Sequence, residues 1–198
     1  LKISIDNTEE NTVENIGKAD VAIEFTGPDS AFDNINKCFE AGVPVVSGST
    51  GWIDRYEEAV WNCKAQNGAL LYASNFSIGV NIFFEVNKKL AQLMASQQDY
   101  NVAIEETHHT QKKDAPSGTA ITLAEQILAV SPFKKQWVNK ESNRASDLQI
   151  ISKRIDPAAG THSVLYHSDT DDIEIVHTAH NRSGFALGAV LAAEFLYG

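Results

Sequence analysis

The chain has 198 residues, 43% of them hydrophobic and 21% charged, a composition typical of a globular protein with one large or two small domains. Acidic residues outnumber basic ones by 26 to 16, and the resulting net charge of −10 argues against a nucleic-acid or anionic-membrane surface. No apolar run is long enough to span a membrane, and the spacing of Cys38 and Cys63 matches no metal-binding pair, so we expect free thiols and a cytoplasmic protein.

The first half of the chain alternates strand-like and helix-like segments. We predict strands at 1–6, 19–26, 43–49 and 69–74, and helices at 27–42, 53–68 and 78–95. Pro28 suits a first helical turn, whereas Gly42 and Gly68 suit the ends of the first two helices. This alternation favours a parallel sheet with helices on its faces.

Small polar residues follow three of the predicted strands, in "EFTGP" (24–28), "SGSTGW" (47–52) and "ASNFS" (73–77). The carboxyl ends of parallel strands meet at one edge of a sheet, which is where ligands bind in such folds. We therefore expect these three segments to form a cofactor-binding rim, with ordinary turns as the alternative.

The pattern changes after residue 98. A strand at 99–109 precedes a helix at 117–130, and a second helix closes the chain at 183–196. Between them lie three strand-like runs, at 147–155, 160–168 and 171–180, which predict an antiparallel or mixed sheet. The apolar face of the 117–130 helix is predicted at Ile121, Ala124, Ile127 and Leu128. Residues 131–146 are predicted to form a loop.

Cationic residues cluster just before the 117–130 helix, in "HHTQKKDAPSGTA" (108–120). A helix N-terminus offers backbone N–H groups and a partial positive charge, and Ser117, Gly118 and Thr119 stand at this start. Lys112 adds positive charge just upstream. The stretch is suited to binding a carboxylate or phosphate; the alternative is a capped surface helix with solvated lysines.

The histidines do not suggest a metal site. Adjacent strand residues point to opposite faces, so His108 and His109 are not expected to bind one ion, and His177 and His180 separate in the same way. No H-E-x-x-H or C-x-x-C motif occurs. We therefore predict no metal and consider a histidine beside Lys112 as an acid–base candidate.

These residues resemble a known family. "EETHHTQKKDAPSGTA" is similar to the signature E-x-x-H-H-x-x-K-x-D-A-P-S-G-T-A of 4-hydroxy-tetrahydrodipicolinate (dihydrodipicolinate) reductases, and further segments agree along nearly the whole chain. These are "EFTGP" with D-F-T-x-P, "GSTGW" with G-T-T-G-F, "ASNFSIGVN" with A-x-N-F-S-x-G-V-N, "GTHSVLY" with G-x-H-x-V-x-F, and "IVHTAHNRSGFALGA" with I-x-H-x-A-x-x-R-x-x-F-x-x-G-A.

The resemblance implies an enzyme that uses NADH or NADPH to reduce a cyclic imine dicarboxylate in lysine and diaminopimelate synthesis. It assigns the catalytic proton movements to His108 and Lys112. The implied substrate contacts are His109, Lys112, Ser117, Gly118, Thr119 and Thr50. The implied cofactor contacts are Asp6, Gly48, Ser49, Thr50, Ala73, Ser74, Asn75 and Phe76.

The resemblance also implies an α/β fold with a partial Rossmann-like parallel-sheet domain (1–75 and 183–198) and an α+β substrate-binding and oligomerisation domain (76–182). It implies a homotetramer. Two departures stand out: G-T-T reads G-S-T, and the family's glycine fingerprint G-x-x-G-x-M-G is absent. Because the chain opens in "LKISID" without Met, we expect it to start inside a longer protein. The alternatives are a non-catalytic assembly fragment and a related nicotinamide-dependent dehydrogenase acting on another carboxylate.

Overall fold

The computed structural model describes residues 4–198 and divides them into two compact units. Unit 1 comprises the chain up to Phe76 together with Phe185–Gly198, and unit 2 comprises Ser77–Gly184. Residues 1–3, half of the first predicted strand, lie outside the described residues, and residues 4–6 are not in a strand. Among the described residues, no helix is both long and apolar enough to cross a membrane.

The elements follow in chain order. The helices are α1 (Val13–Ile16), α2 (Pro28–Glu40), α3 (Tyr56–Ala65), α4 (Ile78–Met94), α5 (Gly118–Leu128) and α6 (Ser183–Tyr197). The strands are β1 (Ala22–Glu24), β2 (Val45–Ser47), β3 (Leu70–Tyr72), β4 (Asn101–His108), β5 (Gln136–Val138), β6 (Asp147–Arg154), β7 (Gly160–His167) and β8 (Asp172–Ala179).

Unit 1 is built on the predicted parallel sheet, with strand order β1-β2-β3. Helix α2 begins at Pro28, and Gly42 beyond its end has a φ of +66°, a conformation that favours glycine. The buried face of α2 consists of the residues that its periodicity predicts: Ala31, Phe32, Ile35, Cys38 and Phe39. Both cysteines are free.

Unit 2 is built on a five-stranded mixed sheet, as predicted, with strand order β5-β6-β4-β7-β8. β4 lies at its centre, parallel to β6 and antiparallel to β7. Helices α4 and α5 contact each other, and their apolar side chains share one core with the buried residues of β4, β6 and β7. This arrangement places the end of β4 close to the start of α5.

Three local predictions need correction. On α5, Ala124 and Ile127 are buried as predicted, but the other two fully buried residues are Ala120 and Leu123, whereas Ile121 and Leu128 are half-buried. β5 forms within the predicted loop, where Trp137 packs against the core and the strand pairs with β6. Gly68 was predicted at the end of α3, but the residue with a positive φ after this helix is Asn67 (+52°). Gly68 instead packs closely against Phe39, because a Cβ at this position would lie 2.9 Å from the Phe39 ring. The short helix α1 was not predicted.

Candidate active site

The buried face of β4, the central strand of unit 2, is apolar in its first half and polar in its second half. Along β4 the alternate residues Val102, Ile104, Glu106 and His108 are buried, so the two polar side chains follow the same face as the two apolar ones. Glu106 is directly opposite His162 on β7. Relative exposures of 0%, 8% and 4% for Glu106, His108 and His162 show that these three groups are largely removed from solvent.

Glu106 is the centre of this cluster. Its two carboxylate oxygens accept hydrogen bonds from the backbone N–H of Ser117, both at 3.1 Å, and Oε1 also accepts one from Nη2 of Arg154 at 3.2 Å. Its Oε2 lies 3.5 Å from Nδ1 of His108 and 3.7 Å from Nε2 of His162. One buried carboxylate therefore links β4, β6, β7 and the start of α5.

The start of α5 has the geometry expected of an anion-binding helix end. Ser117 is the N-cap, and its Oγ accepts a hydrogen bond from the N–H of Ala120 at 3.2 Å. The same Oγ lies 3.1 Å from Nε2 of His162. A Cβ added to Gly118 would meet open space, so a ligand can approach this backbone closely. Thr119 occupies the same first turn.

Arg154 holds the loop between β4 and α5. Its Nη2 donates to the carbonyl oxygen of Asp114 at 2.6 Å in addition to Glu106, so one guanidinium bridges the buried carboxylate and the loop backbone. Within the loop, Nζ of Lys112 lies 2.9 Å from the carboxylate of Asp114. The Lys112 side chain is thereby tied to the loop that leads into α5.

Burial and neighbouring charges shift the pKa values of the cluster. Burial raises the pKa of Glu106, but hydrogen bonds from Ser117 and the charge of His108 outweigh it, so the pKa lies below its usual range. Burial lowers the pKa of His108, although the charge of Glu106 opposes the shift. For His162, burial and then the charge of His108 lower the pKa to about 4. The pKa shifts favour a charged Glu106 between two neutral histidines at neutral pH.

The same three residues hold potential metal-ligand atoms within 4.8 Å of one another. The sequence prediction considered only the pairs His108–His109 and His177–His180 and did not anticipate this cluster. Glu106 already accepts bonds from Ser117 and Arg154, and the adjacent guanidinium charge opposes a cation. We therefore interpret the cluster as an acid–base network and not as a metal centre.

His109 lies on a different side of the strand end from His108. Its Nε2 accepts a hydrogen bond from Nη2 of Arg182 at 3.0 Å. Both residues border a cavity of about 380 Å³ in unit 2. Its lining residues are His109, Gln111, Asp156, Pro157, Ala158, Ala159 and Arg182. Asp156 also accepts a bond from the N–H of Thr110, which ties this loop to the end of β6.

In unit 1 the predicted rim residues follow the three parallel strands. Gly48, Ser49 and Thr50 come after β2, and Ala73, Ser74, Asn75 and Phe76 come after β3. A Cβ on Gly48 would lie 2.3 Å from the Phe25 ring, so only glycine allows this contact. Phe25 in turn packs against Phe76, with 5.5 Å between ring centroids.

Unit 1 contains a cavity of about 270 Å³, and Asp6 is one of the residues that line it. This cavity is lined by residues of the N-terminal segment and by Glu24, Thr26, Ser30, Asn34 and Cys38, among others. Thr50 belongs to unit 1, whereas the other predicted substrate contacts belong to unit 2.

Three residues of the cluster were not singled out from the sequence: Glu106, Arg154 and His162. The alternation of β4 could have identified Glu106, because a charged residue in the buried register of a strand is unusual. The glutamate that opens the sequence signature is Glu105, which lies on the opposite face of β4 and pairs with Lys153 at 2.6 Å. His162 is the histidine of the G-x-H-x-V-x-F segment, but the sequence assigned it no role, and no local pattern marks Arg154; the approach of both side chains to Glu106 depends on strand pairing.

Comparison with known proteins agrees with this geometry. The N-terminal family model of dihydrodipicolinate reductase matches residues 1–76, and the C-terminal model matches residues 79–198. The 4-hydroxy-tetrahydrodipicolinate reductase of Christiangramia forsetii is 53% identical over 196 residues, which cover 99% of this chain and 82% of that protein. The enzyme of the same name from Methanosarcina barkeri is 37% identical, with 93% and 70% covered.

A solved structure leads to the same family. The dipicolinate-bound dihydrodipicolinate reductase from Paenisporosarcina sp. TG-14 superposes with a TM-score of 0.68 at 26% identity, covering 91% of this chain and 69% of that one. The resemblance inferred from the sequence is thus confirmed by the family models, the relatives and the fold. The chain belongs to the dihydrodipicolinate reductase family.

Proposed function

We propose that this chain reduces 4-hydroxy-tetrahydrodipicolinate to tetrahydrodipicolinate with NADH or NADPH, in the synthesis of lysine and diaminopimelate. The observation that carries the proposal is the buried Glu106, which lies beside His108 and accepts the backbone N–H at the capped start of α5, with Lys112 in the loop between β4 and α5. This is the arrangement needed to bind a dicarboxylate and to move a proton beside it, in a chain whose family is established.

The start of α5 is the proposed site for one substrate carboxylate. The Ser117–Gly118–Thr119 turn offers backbone and hydroxyl donors, and Lys112 supplies a positive charge. His109, which is bonded to Arg182 beside the 380 Å³ cavity, supplies donors for the second carboxylate. A flat dianion with two separated carboxylates fits such a pair of sites. Thr50 of unit 1 remains a proposed substrate contact.

His108 and Lys112 are the proposed proton carriers. The ammonium N–H groups of Lys112 are proton donors. Burial lowers the pKa of His108, so its protonated form is a stronger acid than free imidazole. Arrival of a dianionic substrate favours protonation of His108, whereas Glu106 keeps the ring beside its own carboxylate. The substrate loses water during the reduction, and a proton delivered to the leaving hydroxyl assists that loss.

Unit 1 is the proposed dinucleotide-binding domain, and unit 2 the substrate domain. When bound, a nicotinamide cofactor supplies the hydride for the reduction. The residues fit such a group, because Gly48 to Thr50 and Ala73 to Phe76 follow neighbouring parallel strands, at the edge of the sheet where dinucleotides bind in such folds. Asp6 is the proposed contact to the adenosine ribose.

We also propose a homotetramer. The face of the five-stranded sheet that does not cover α4 and α5 carries exposed side chains such as Val176, and a sheet face of this kind is suited to pairing between subunits. Sedimentation equilibrium should show the tetramer at micromolar concentration. A stable monomer at that concentration would contradict the assembly.

The activity is tested with the purified full-length protein, the hydroxy-dicarboxylate substrate and each reduced cofactor, by following the loss of reduced-nicotinamide absorbance. We expect turnover, and we expect His108→Gln to lower it strongly while cofactor affinity is retained. A chain that only assembles would give no turnover with either cofactor. A related dehydrogenase would instead bind the cofactor but turn over a different carboxylate.

The anion site is tested separately by calorimetry with pyridine-2,6-dicarboxylate. Lys112→Met should weaken binding by about 1.5–3 kcal/mol, because it removes a charge-assisted contact. The neighbouring Lys113 is exposed and has no place in the cluster, so Lys113→Met is the matched control and should change affinity little. Equal losses in the two variants would indicate general charge attraction and would reject a defined site.

A further inference from the structure

A second buried carboxylate, Glu24, lies at the end of β1 in unit 1, where it is 5% exposed. Its Oε2 accepts a hydrogen bond from Oγ of Ser47 at 2.7 Å. Its Oε1 accepts bonds from Oγ of Ser49 at 3.0 Å and from the backbone N–H of Thr26 at 2.8 Å. The hydroxyl of Thr26 is a third donor to Oε1 and the fourth donor to the carboxylate. Glu24 thus joins the loop after β1 to the loop after β2.

The hydrogen bonds of Thr26 extend this network to α2. Its hydroxyl also lies 2.8 Å from Oγ of Ser30 and accepts a bond from Nδ2 of Asn34 at 3.1 Å. The loop after β2 is fixed further by Trp52, whose Nε1 donates to the carbonyl oxygen of Ser49 at 2.8 Å. The proposed cofactor contacts Gly48 and Ser49 are therefore held by side chains that the proposed mechanism does not use.

The described residues give Glu24 neutral partners. Within residues 4–198, its hydrogen-bond donors are hydroxyls and one backbone amide, and no lysine, arginine or histidine forms an ion pair with it. Four donors directed at one carboxylate are the set that an ionised group accepts. Glu106 of unit 2 differs, because Arg154 neutralises it. A negative charge without a counter-charge acts over a longer distance in a buried setting than in water.

Resting on the proposed function, we propose that Glu24 is a positioning residue that fixes the two rim loops and places its carboxylate beside them, where its charge favours the positively charged nicotinamide ring over the neutral reduced ring. In the reduction, a hydride with its two electrons leaves the dihydronicotinamide ring for the substrate, and the ring becomes a cation. A fixed anion beside that ring stabilises the charge that develops in the transition state.

Two variants separate the effect of the Glu24 charge on cofactor binding from the effect of its size. Glu24→Gln keeps the size of the side chain, and its amide can bond to the same hydroxyls, but the charge is lost. Glu24→Asp keeps the charge and shortens the side chain. A purely structural role would change the affinities for oxidised and reduced cofactor by the same factor, whereas a role of the charge changes their ratio.

The experiment measures, by calorimetry, the dissociation constants of NAD+ and NADH, or of NADP+ and NADPH, for the wild-type full-length protein and both variants. We expect Glu24→Gln to weaken binding of the oxidised form about tenfold more than that of the reduced form. Glu24→Asp should leave the ratio near that of the wild type. Asn34→Asp adds a charge to the same network and should shift the ratio in the opposite direction, which keeps the test decisive should Glu24→Gln fail to fold.

The outcomes distinguish this proposal from the function on which it rests. A wild-type chain that binds neither cofactor form would overturn the proposed function and this inference with it. A wild-type chain that binds cofactor, with the same ratio in Glu24→Gln or in Asn34→Asp, would overturn this inference alone.

Discussion

Acidification should destabilise unit 2 through one buried histidine. His162 lies opposite Glu106 in the centre of the sheet and is 4% exposed. Burial, followed by the charge of His108, lowers its pKa from 6.5 to about 4, although Glu106 opposes the shift. In the unfolded chain the imidazole regains its ordinary value. We therefore compare how the free energy of unfolding changes with pH in the wild type and in His162→Gln.

Proton linkage determines the direction and the size of the change in unfolding free energy with pH. Between about pH 6.5 and pH 4 the unfolded chain binds a proton at His162 that the folded chain does not, so stability falls as the pH is lowered through this window. The contribution lost is about 2 kcal/mol between pH 8 and pH 5, and about 3 kcal/mol by pH 4. The depressed pKa of Glu106 acts in the same direction, but only at lower pH, as that carboxylate becomes protonated.

Urea denaturation followed by circular dichroism at several pH values provides the measurement. We expect the free energy of unfolding of the wild type to fall by about 2 kcal/mol more than that of His162→Gln between pH 8 and pH 5. Val164→Ala is the matched control, since it removes buried volume from the same strand without removing a titrating group. It should lower stability at every pH and keep the wild-type slope. Equal slopes in the wild type and His162→Gln would refute the reasoning.

Two further substitutions test the loops. Arg154→Met leaves Glu106 without its cationic partner and should cost about 2 kcal/mol of stability, while weakening dicarboxylate binding in calorimetry; unchanged values in both would contradict its bridging role. Gly48→Ala should displace the Phe25 ring and weaken cofactor binding, whereas Gly27→Ala, where a Cβ meets open space, should not. Similar cofactor affinities in these two glycine variants would show that the contact with Phe25 is unimportant.

Much of the local structure was readable from the sequence because it depends on neighbouring residues. The spacing of Ala31, Ile35 and Cys38 specifies the buried face of α2, and Gly42 supplies the positive φ that ends it. Ser117 caps α5 as the sequence predicts, because its hydroxyl bonds to an amide only three residues away. The motif at 108–120 also identified the family.

The chemistry around His108 was decided by tertiary structure. Glu106 meets His162 because β4 pairs with β7, and Arg154 reaches Glu106 because β4 also pairs with β6. These pairings join segments that are distant in the chain, and no local pattern specifies which strands become neighbours. Tertiary structure also decides the contacts of Glu24 in unit 1, because it meets Ser47 and Ser49 through the pairing of β1 with β2. The sequence alone determined which residues carry charge and where helices begin, whereas only the folded chain, through strand register and burial, determined which charges meet and how their pKa values shift.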